Sequence, residues 1–495
     1  MNFRLLARVL GLLLTLESVA MAACGLFAYF DPMDELGAGV LPLMAAGGMT
    51  FLAGMVLFLL GRGRFERIPR REGVMIVGLG WILSAVFGAI PFLLAEPRLP
   101  PAAALFESVS GFTTTGSTVI ADLTQWPRGI LLWRSVMQWL GGLGILVLFV
   151  ALLSTVGGGA KSLFRNESSF QPGEAATARI HDTALTLWKI YLALTLVCLL
   201  GLRFLGLSWF DAVAHALTTV ATGGFSPHNE SIGYFSSLTN GLLIELWLEL
   251  FMLLGSMSFL IYVVILRRDW DRLRRLEEVR WYLVLVVCGI AGMWVVGSWG
   301  GNIPAGEALR GAAFTVISIA STTGYATADY EQWPVAVYFI LLVLMLAGGC
   351  AGSTSGGMKV SRLILLVRSA SQEIVKAFRP NQILRMQVND NPIDDTARAQ
   401  TVLFVALFAG MALVSMVVVA VIETGHGTID FETTVATVLA TFGNIGPGYG
   451  EVGPADNYAH FQPVTHLFLS LLMVLGRLEL YAVLVLFVPA VWRKY

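Results

Sequence analysis

Charge is scarce in this chain: Asp, Glu, Lys and Arg make up only 13% of its 495 residues, against about 25% in ordinary soluble domains. With 56% of residues hydrophobic, a soluble protein is excluded and no soluble domain of ordinary size is visible. Cysteine is scarce too. Cys24, Cys198, Cys288 and Cys350 all lie in apolar segments and none forms a CxxC pair, so they read as small apolar filler rather than disulfide or metal ligands. The six histidines show no HExxH or other ligand spacing. No GxGxxG follows a strand, no GxxxxGK precedes a Ser or Thr, and no nucleophile or carboxylate pair recurs. A nucleotide site, a bound cofactor and an enzyme activity are therefore not expected. A net charge of −1 argues nothing for nucleic acid, and no such partner is expected.

What is present is length without polarity. A spanning helix needs roughly 20 apolar residues, and ten stretches qualify: Leu5–Phe30, Leu41–Leu60, Gly73–Leu94, Gly129–Leu153, Ala184–Leu207, Asn240–Leu266, Trp281–Trp299, Val335–Val367, Thr401–Ile422 and Thr465–Val491. The first is too long for a signal peptide and lacks a clear small-residue cleavage site, so it reads as a spanning helix. Basic residues set the orientation. Arg62, Arg64, Arg67, Arg70 and Arg71 follow the second span, Arg267, Arg268, Arg272, Arg274, Arg275 and Arg280 the sixth, and Lys359, Arg362, Arg368, Lys376, Arg379 and Arg385 end or follow the eighth. With ten spans all fall on one side, the cytoplasm by the positive-inside tendency, and both termini join them.

Four connections on the external side are too long for turns and too apolar for solvated loops. They read ALFESVSGFTTTGST (Ala104–Thr118), AVAHALTTVATGGFS (Ala212–Ser226), GAAFTVISIASTTGYA (Gly311–Ala326) and TTVATVLATFGNIGPGYG (Thr433–Gly450). Each begins with helix-compatible residues, half the length needed to cross. Aligned on their ends they give Thr114-Thr115-Gly116-Ser117, Thr222-Gly223-Gly224-Phe225, Thr322-Thr323-Gly324-Tyr325 and Asn444-Ile445-Gly446-Pro447. The third residue is glycine each time, with spacings of 108, 100 and 122 residues. That is a fourfold internal repeat. An echo supports it: Asp122-Leu-Thr-Gln-Trp126-Pro127 after the first loop matches Asp329-Tyr-Glu-Gln-Trp333-Pro334 after the third. The expected organisation is two leading helices over 1–70, then helix–pore loop–helix repeats over 71–165, 166–275, 276–385 and 386–495. The fold class is an all-α polytopic membrane protein around a pseudo-fourfold pore.

Non-helical backbone at membrane depth survives only where its polar groups meet protein, water or ions. Four extended segments around one axis would line a wet path in which backbone carbonyls replace part of a cation's hydration. Glycine permits the backbone angles this needs, and half-helix C-termini direct partial negative charge at the ion. Glycine also promotes packing in membrane helices; four in one register favour the filter. The candidate ion-binding residues are Thr114, Thr115, Gly116, Thr222, Gly223, Gly224, Thr322, Thr323, Gly324, Asn444, Ile445 and Gly446. Glu107, Asp211, Glu307 and Glu432 lie near the half-helix starts, most simply as helix-end stabilisers. The eighth span breaks at Ala347–Gly357, with five glycines in eleven residues, a poorly helical run that must face water or protein. Arg477 is a charge within the last span. Glu479 does not share its helix face, and a partner such as Glu245 or Glu249 stays open.

These residues resemble the Trk/Ktr/HKT superfamily of potassium transporters, and specifically its TrkH-like pore subunits, over nearly the whole chain. The resemblance implies one filter segment per repeat, with Gly116, Gly224, Gly324 and Gly446 at the filter position. Members with serine at the first of these favour sodium, so Gly116 implies K+ selectivity and K+ ions in the filter. It also implies an intramembrane gate at Gly348, Gly349, Gly352, Ser353, Thr354, Ser355, Gly356 and Gly357, and a pore barrier at Arg477. Potassium uptake across a bacterial inner membrane, a homodimer in lipid and control by a cytoplasmic TrkA- or KtrA-like nucleotide-binding ring follow in the same way. A secondary transporter of another cation or small solute is the rival reading, and its usual two inverted halves fit a fourfold repeat poorly.

Overall fold

A computed structural model describes residues 2–33, 38–63, 70–142, 144, 180–300, 303–379, 387–388, 391–392, 395–425 and 429–478. The apolar runs are helical, as a backbone that must satisfy its own polar groups requires. The exception among the described residues is a short antiparallel ladder, Gln387–Val388 against Asn391–Pro392.

Six helices among the described residues are long and apolar enough to cross a membrane: Phe3–Phe30, Val40–Leu60, Met75–Leu94, Leu185–Phe204, Glu277–Trp299 and Ala397–Glu423. The first two pack as a tight pair, close enough that a Cβ on Gly54 would stand 2.9 Å from the Gly11 carbonyl oxygen. The fourth and tenth expected spans are seen as Arg128–Gly142 and Pro463–Arg477; their continuations to Leu153 and Val491, with Arg64, Arg67, Arg385 and Glu479, lie outside the described residues. The eighth divides, as the glycine run requires, into Ala336–Ala347 and Val360–Phe378. The sixth corrects the expectation of one unbroken helix over Asn240–Leu266. It consists of Gly241–Ser256 and Leu260–Leu266, bent by 97°.

Each repeat has a leading helix, a half-helix and a closing helix. The leading helices are Arg70–Gly88 with Ile90–Leu94, Ile180–Phe204, Glu277–Gly300 and Asp395–Glu423. The half-helices are Pro101–Phe112, Trp209–Val220, Ala305–Ala320 and Phe431–Phe442, about 18 to 24 Å long at 1.5 Å per residue and so too short to cross about 30 Å of hydrocarbon. Their starts carry ordinary signals: the Ser208 hydroxyl accepts from the Asp211 amide, Asp430 accepts from the Thr433 amide, and Pro101 opens the first. Asp211, Glu307 and Glu432 occupy first turns.

The repeat extends to detail. Asp122 and Asp329 each cap a single 3₁₀ turn, accepting from the Thr124 and Glu331 amides and from Gln125 and Gln332. The polar residues collect inside, where all four tetrads are buried or nearly so, while Leu41, Leu52, Leu413, Val414, Val417 and Val421 are exposed outside. This inversion of the soluble pattern marks a multi-pass membrane protein.

Candidate functional site: a ring of four tetrads and the loop beneath it

All four half-helices end alike. Thr114, Thr222, Thr322 and Asn444 take left-handed backbone angles, with φ of 52°, 52°, 58° and 54°. Their amides donate to Gly111, Thr219, Ile319 and Thr441, and those of the next residues to Ser110, Thr218, Ser318 and Ala440. This two-bond ending usually employs glycine. Threonine there is strained, at about 1–3 kcal/mol per site. Three of these side chains have work beyond the helix end. Thr322 accepts the Gly356 amide at 2.7 Å, Thr222 meets the Thr354 hydroxyl at 3.3 Å, and Asn444 donates to the Thr115 hydroxyl at 3.0 Å and to the Met473 carbonyl at 2.9 Å.

Two residues on, Gly116, Gly224, Gly324 and Gly446 are again left-handed, with φ of +86°, +81°, +80° and +98°. A Cβ on Gly116 would run into the Gly223 carbonyl oxygen, on Gly224 into that of Thr323, and on Gly324 into that of Ile445. On Gly446 it would lie 2.7 Å from the Thr115 oxygen. Each glycine thus abuts the second-position carbonyl of the following repeat, and the fourth abuts the first. The order closes into a ring. All four glycines open onto one cavity, which Ser117, His228, Asp456 and Tyr458 also line.

Glycine is required twice at these positions, once by the angle and once by the neighbour's oxygen. The fourth tetrad, the most divergent in sequence, keeps the same backbone. The fourth repeat is tied to the first around this glycine: Ser117 and Tyr458 hydroxyls donate to the Gly446 carbonyl at 3.1 and 2.9 Å, and the Tyr458 amide to the Thr118 carbonyl at 2.8 Å.

The glycine-rich segment of the third closing helix packs against the inner ends of the half-helices. Thr354 bonds the Val220 and Gly255 carbonyls through its hydroxyl, at 3.1 and 2.9 Å, and Gly255 again through its amide. The Cys350 amide donates to Ser256, and Phe259 to Gly352. Carbonyls freed by the break in the second closing helix therefore receive the loop that breaks the third. Glu278, at the start of the third leading helix, accepts the Ala351 amide at 2.6 Å and that of Ser361 at 3.2 Å, so it holds both ends of the segment. Lys359 donates to the Ser355 carbonyl at 2.7 Å.

Arg477 reaches this segment. Its guanidinium donates to the Thr354 carbonyl at 2.7 Å and to Gly142 and Gly141 at 2.9 and 3.0 Å. Glu245, one acid left open as its partner, is instead gripped by Arg310 of the third half-helix at 2.6 and 2.7 Å.

Glu107 departs from its expected place. It sits midway along the first half-helix, fully buried, and forms an ion pair with Arg134 at 2.7 Å. It also accepts from Thr118 and the Val119 amide, while Arg134 donates to the Ser226 carbonyl and covers the Phe225 ring. The pair joins the outer ends of the first two tetrads. Sequence reading also passed over Gln138 and Glu278. A polar residue inside an otherwise apolar span was the available signal for Gln138 and Arg134.

A family model described as TrkH, cation transport protein, matches residues 43–494. Over their full lengths this chain and the Trk system potassium uptake protein TrkH of Halomonas elongata (strain ATCC 33173) are 37% identical, as are this chain and the TrkH of Escherichia coli (strain K12). The TrkG protein of Escherichia coli (strain K12) is 34% identical over 90% of this chain and 91% of its own. The crystal structure of the potassium transporter TrkH from Vibrio parahaemolyticus superposes with a TM-score of 0.86 at 31% identity, covering both chains completely. With the fourfold ring, the broken third closing helix and these likenesses together, the chain belongs to the TrkH family of cation transport proteins.

Proposed function

We propose that this protein takes up potassium through a gated, channel-like pore whose selectivity resides in the four tetrads. The observation that carries the reading is the closed ring in which each of Gly116, Gly224, Gly324 and Gly446 meets the next repeat's carbonyl. Backbone oxygens so arranged replace part of the hydration shell of a monovalent cation. The half-helix C-termini add partial negative charge on the inner side. The transported ion is K+, held by Thr114, Thr115, Thr222, Gly223, Thr322, Thr323, Asn444, Ile445 and the four glycines.

The segment Gly348–Gly357 is the gate, and Arg477 is a barrier of positive charge beneath the filter. Their support is contact: the segment bonds to Thr222 and Thr322 of the tetrads, and Arg477 to the segment. A gate built this way moves by exchanging a handful of hydrogen bonds, each worth about 1 kcal/mol. The basic connections face the cytoplasm with both termini, in a bacterial inner membrane. A homodimer controlled by a TrkA- or KtrA-like nucleotide-binding ring completes the assembly.

The test is uptake of a rubidium isotope by the purified protein in liposomes. Competition by potassium and weak competition by sodium are expected. Failure to move any monovalent cation with the regulatory partner present overturns the reading.

A further inference from the structure

The four tetrads are braced in different ways. In repeats 1 and 3 the second residue is a threonine whose hydroxyl lies 2.7 Å from the hydroxyl two positions earlier, Thr115 to Thr113 and Thr323 to Ser321. Repeat 2 has Gly223 and Ala221 at these places, so both hydroxyls are missing at once. The brace comes from another repeat. Gln138, on the first closing helix, is completely buried, and a Cβ built on Gly223 would run into its carboxamide. Its Nε2 donates to the Gly223 carbonyl at 2.6 Å, and its Oε1 accepts the Phe225 amide at 3.0 Å.

Those bonds fall on the two peptide groups that flank Gly224. A carboxamide suits them because it carries a donor and an acceptor fixed in one plane. The need is greatest here: Gly223-Gly224 is a pair of adjacent glycines, the most permissive backbone among the four tetrads. We propose that Gln138 is a specificity-determining positioning residue of the filter. It stands in for the missing threonine of repeat 2, fixes the peptide groups on both sides of Gly224, and so sets the preference for K+ over Na+. Selectivity depends on the number and field strength of oriented carbonyls, and a segment free to rotate loses that orientation.

The inference rests on the tetrads being the ion filter, and the experiment separates the two. The thermal midpoint of the purified full chain is followed against K+ and against Na+ concentration, because a bound ion stabilises the folded state. The wild type should be stabilised at lower K+ than Na+; equal response overturns the filter reading itself. Gln138→Ala and Gln138→Met should each shrink that concentration ratio by about tenfold, the scale of one well-placed hydrogen bond. The methionine keeps roughly the volume and removes both the donor to Gly223 and the acceptor for Phe225 without adding a charge beside the ion path, so it decides the matter if the alanine variant does not fold. Gln138→Ala/Ala221→Ser/Gly223→Thr, which returns to repeat 2 both hydroxyls of the Ser321–Thr323 pair, should recover the ratio; no recovery overturns the equivalence. Folded single variants that keep the wild-type ratio overturn the role of Gln138.

Discussion

At the scale of single residues the site is governed by where side chains are forbidden. Gly224→Ala places a methyl group against the Thr323 oxygen at a φ of +81°, and the left-handed angle alone costs about 1–2 kcal/mol. Rubidium uptake should fall by roughly tenfold or more, since the neighbouring carbonyl must move as well. The four glycines were legible because each absence of a side chain recurs in register. Gln138 stood out only as a polar residue in an apolar span; its role was not legible, because it answers a side chain missing from Gly223, in another repeat, and pairing the two needs the fold. Glu107 was misplaced for a related reason: its distance from the half-helix start depends on Pro101 opening that helix. Its ion pair with Arg134 is buried at both ends, with side chains 0% and 2% exposed. Removing one partner of such a pair costs about 3–5 kcal/mol. Glu107→Gln should therefore lower the thermal midpoint markedly, and Glu107→Gln/Arg134→Met should regain much of the loss. A melt of Glu107→Gln matching the wild type would refute this.

At the scale of elements, two broken helices sustain each other. The third closing helix breaks where five glycines crowd together, and that was readable from composition. The second breaks at Met257–Phe259 with neither proline nor a glycine run to announce it. Its cause is tertiary: Gly255 and Ser256 give their carbonyls to Thr354 and Cys350 rather than to their own helix. Propensity is a weak prior against such contacts. The proposed gate, anchored on the second closing helix and on Glu278, should respond to shortening. Deleting Gly352 to Ser355 should raise rubidium flux through the isolated subunit, because the bonds to Thr222, Val220 and Gly255 are lost together. Arg477→Ala should raise flux as well, by removing a positive charge and the bond to the Thr354 carbonyl. Were Arg477 chiefly a structural tie, the variant would instead give less protein with unchanged flux per molecule.

At the scale of the whole molecule, the fourfold plan was readable from spacing and the likeness of repeats 1 and 3 from the Asp-to-Trp-Pro echo. The cyclic order was not, since nothing in a linear sequence says that the last tetrad lies against the first. That seam is made of contacts between residues 329 apart, Asn444 with Thr115 and Ser117 with Gly446. Long-range closures of this kind come late, because loop-closure entropy opposes them until the rest is in place. For a chain inserted from its N-terminus, the ring cannot exist until the fourth half-helix has left the ribosome. A chain ended after the third repeat should show no ion-dependent rise in melting temperature, whereas co-expression of the missing repeat as a separate piece should restore it. Biosynthesis thus has a built-in order: an unfinished molecule holds three segments facing an open side, and the place proposed for potassium to shed its water arises only once the fourth repeat is present.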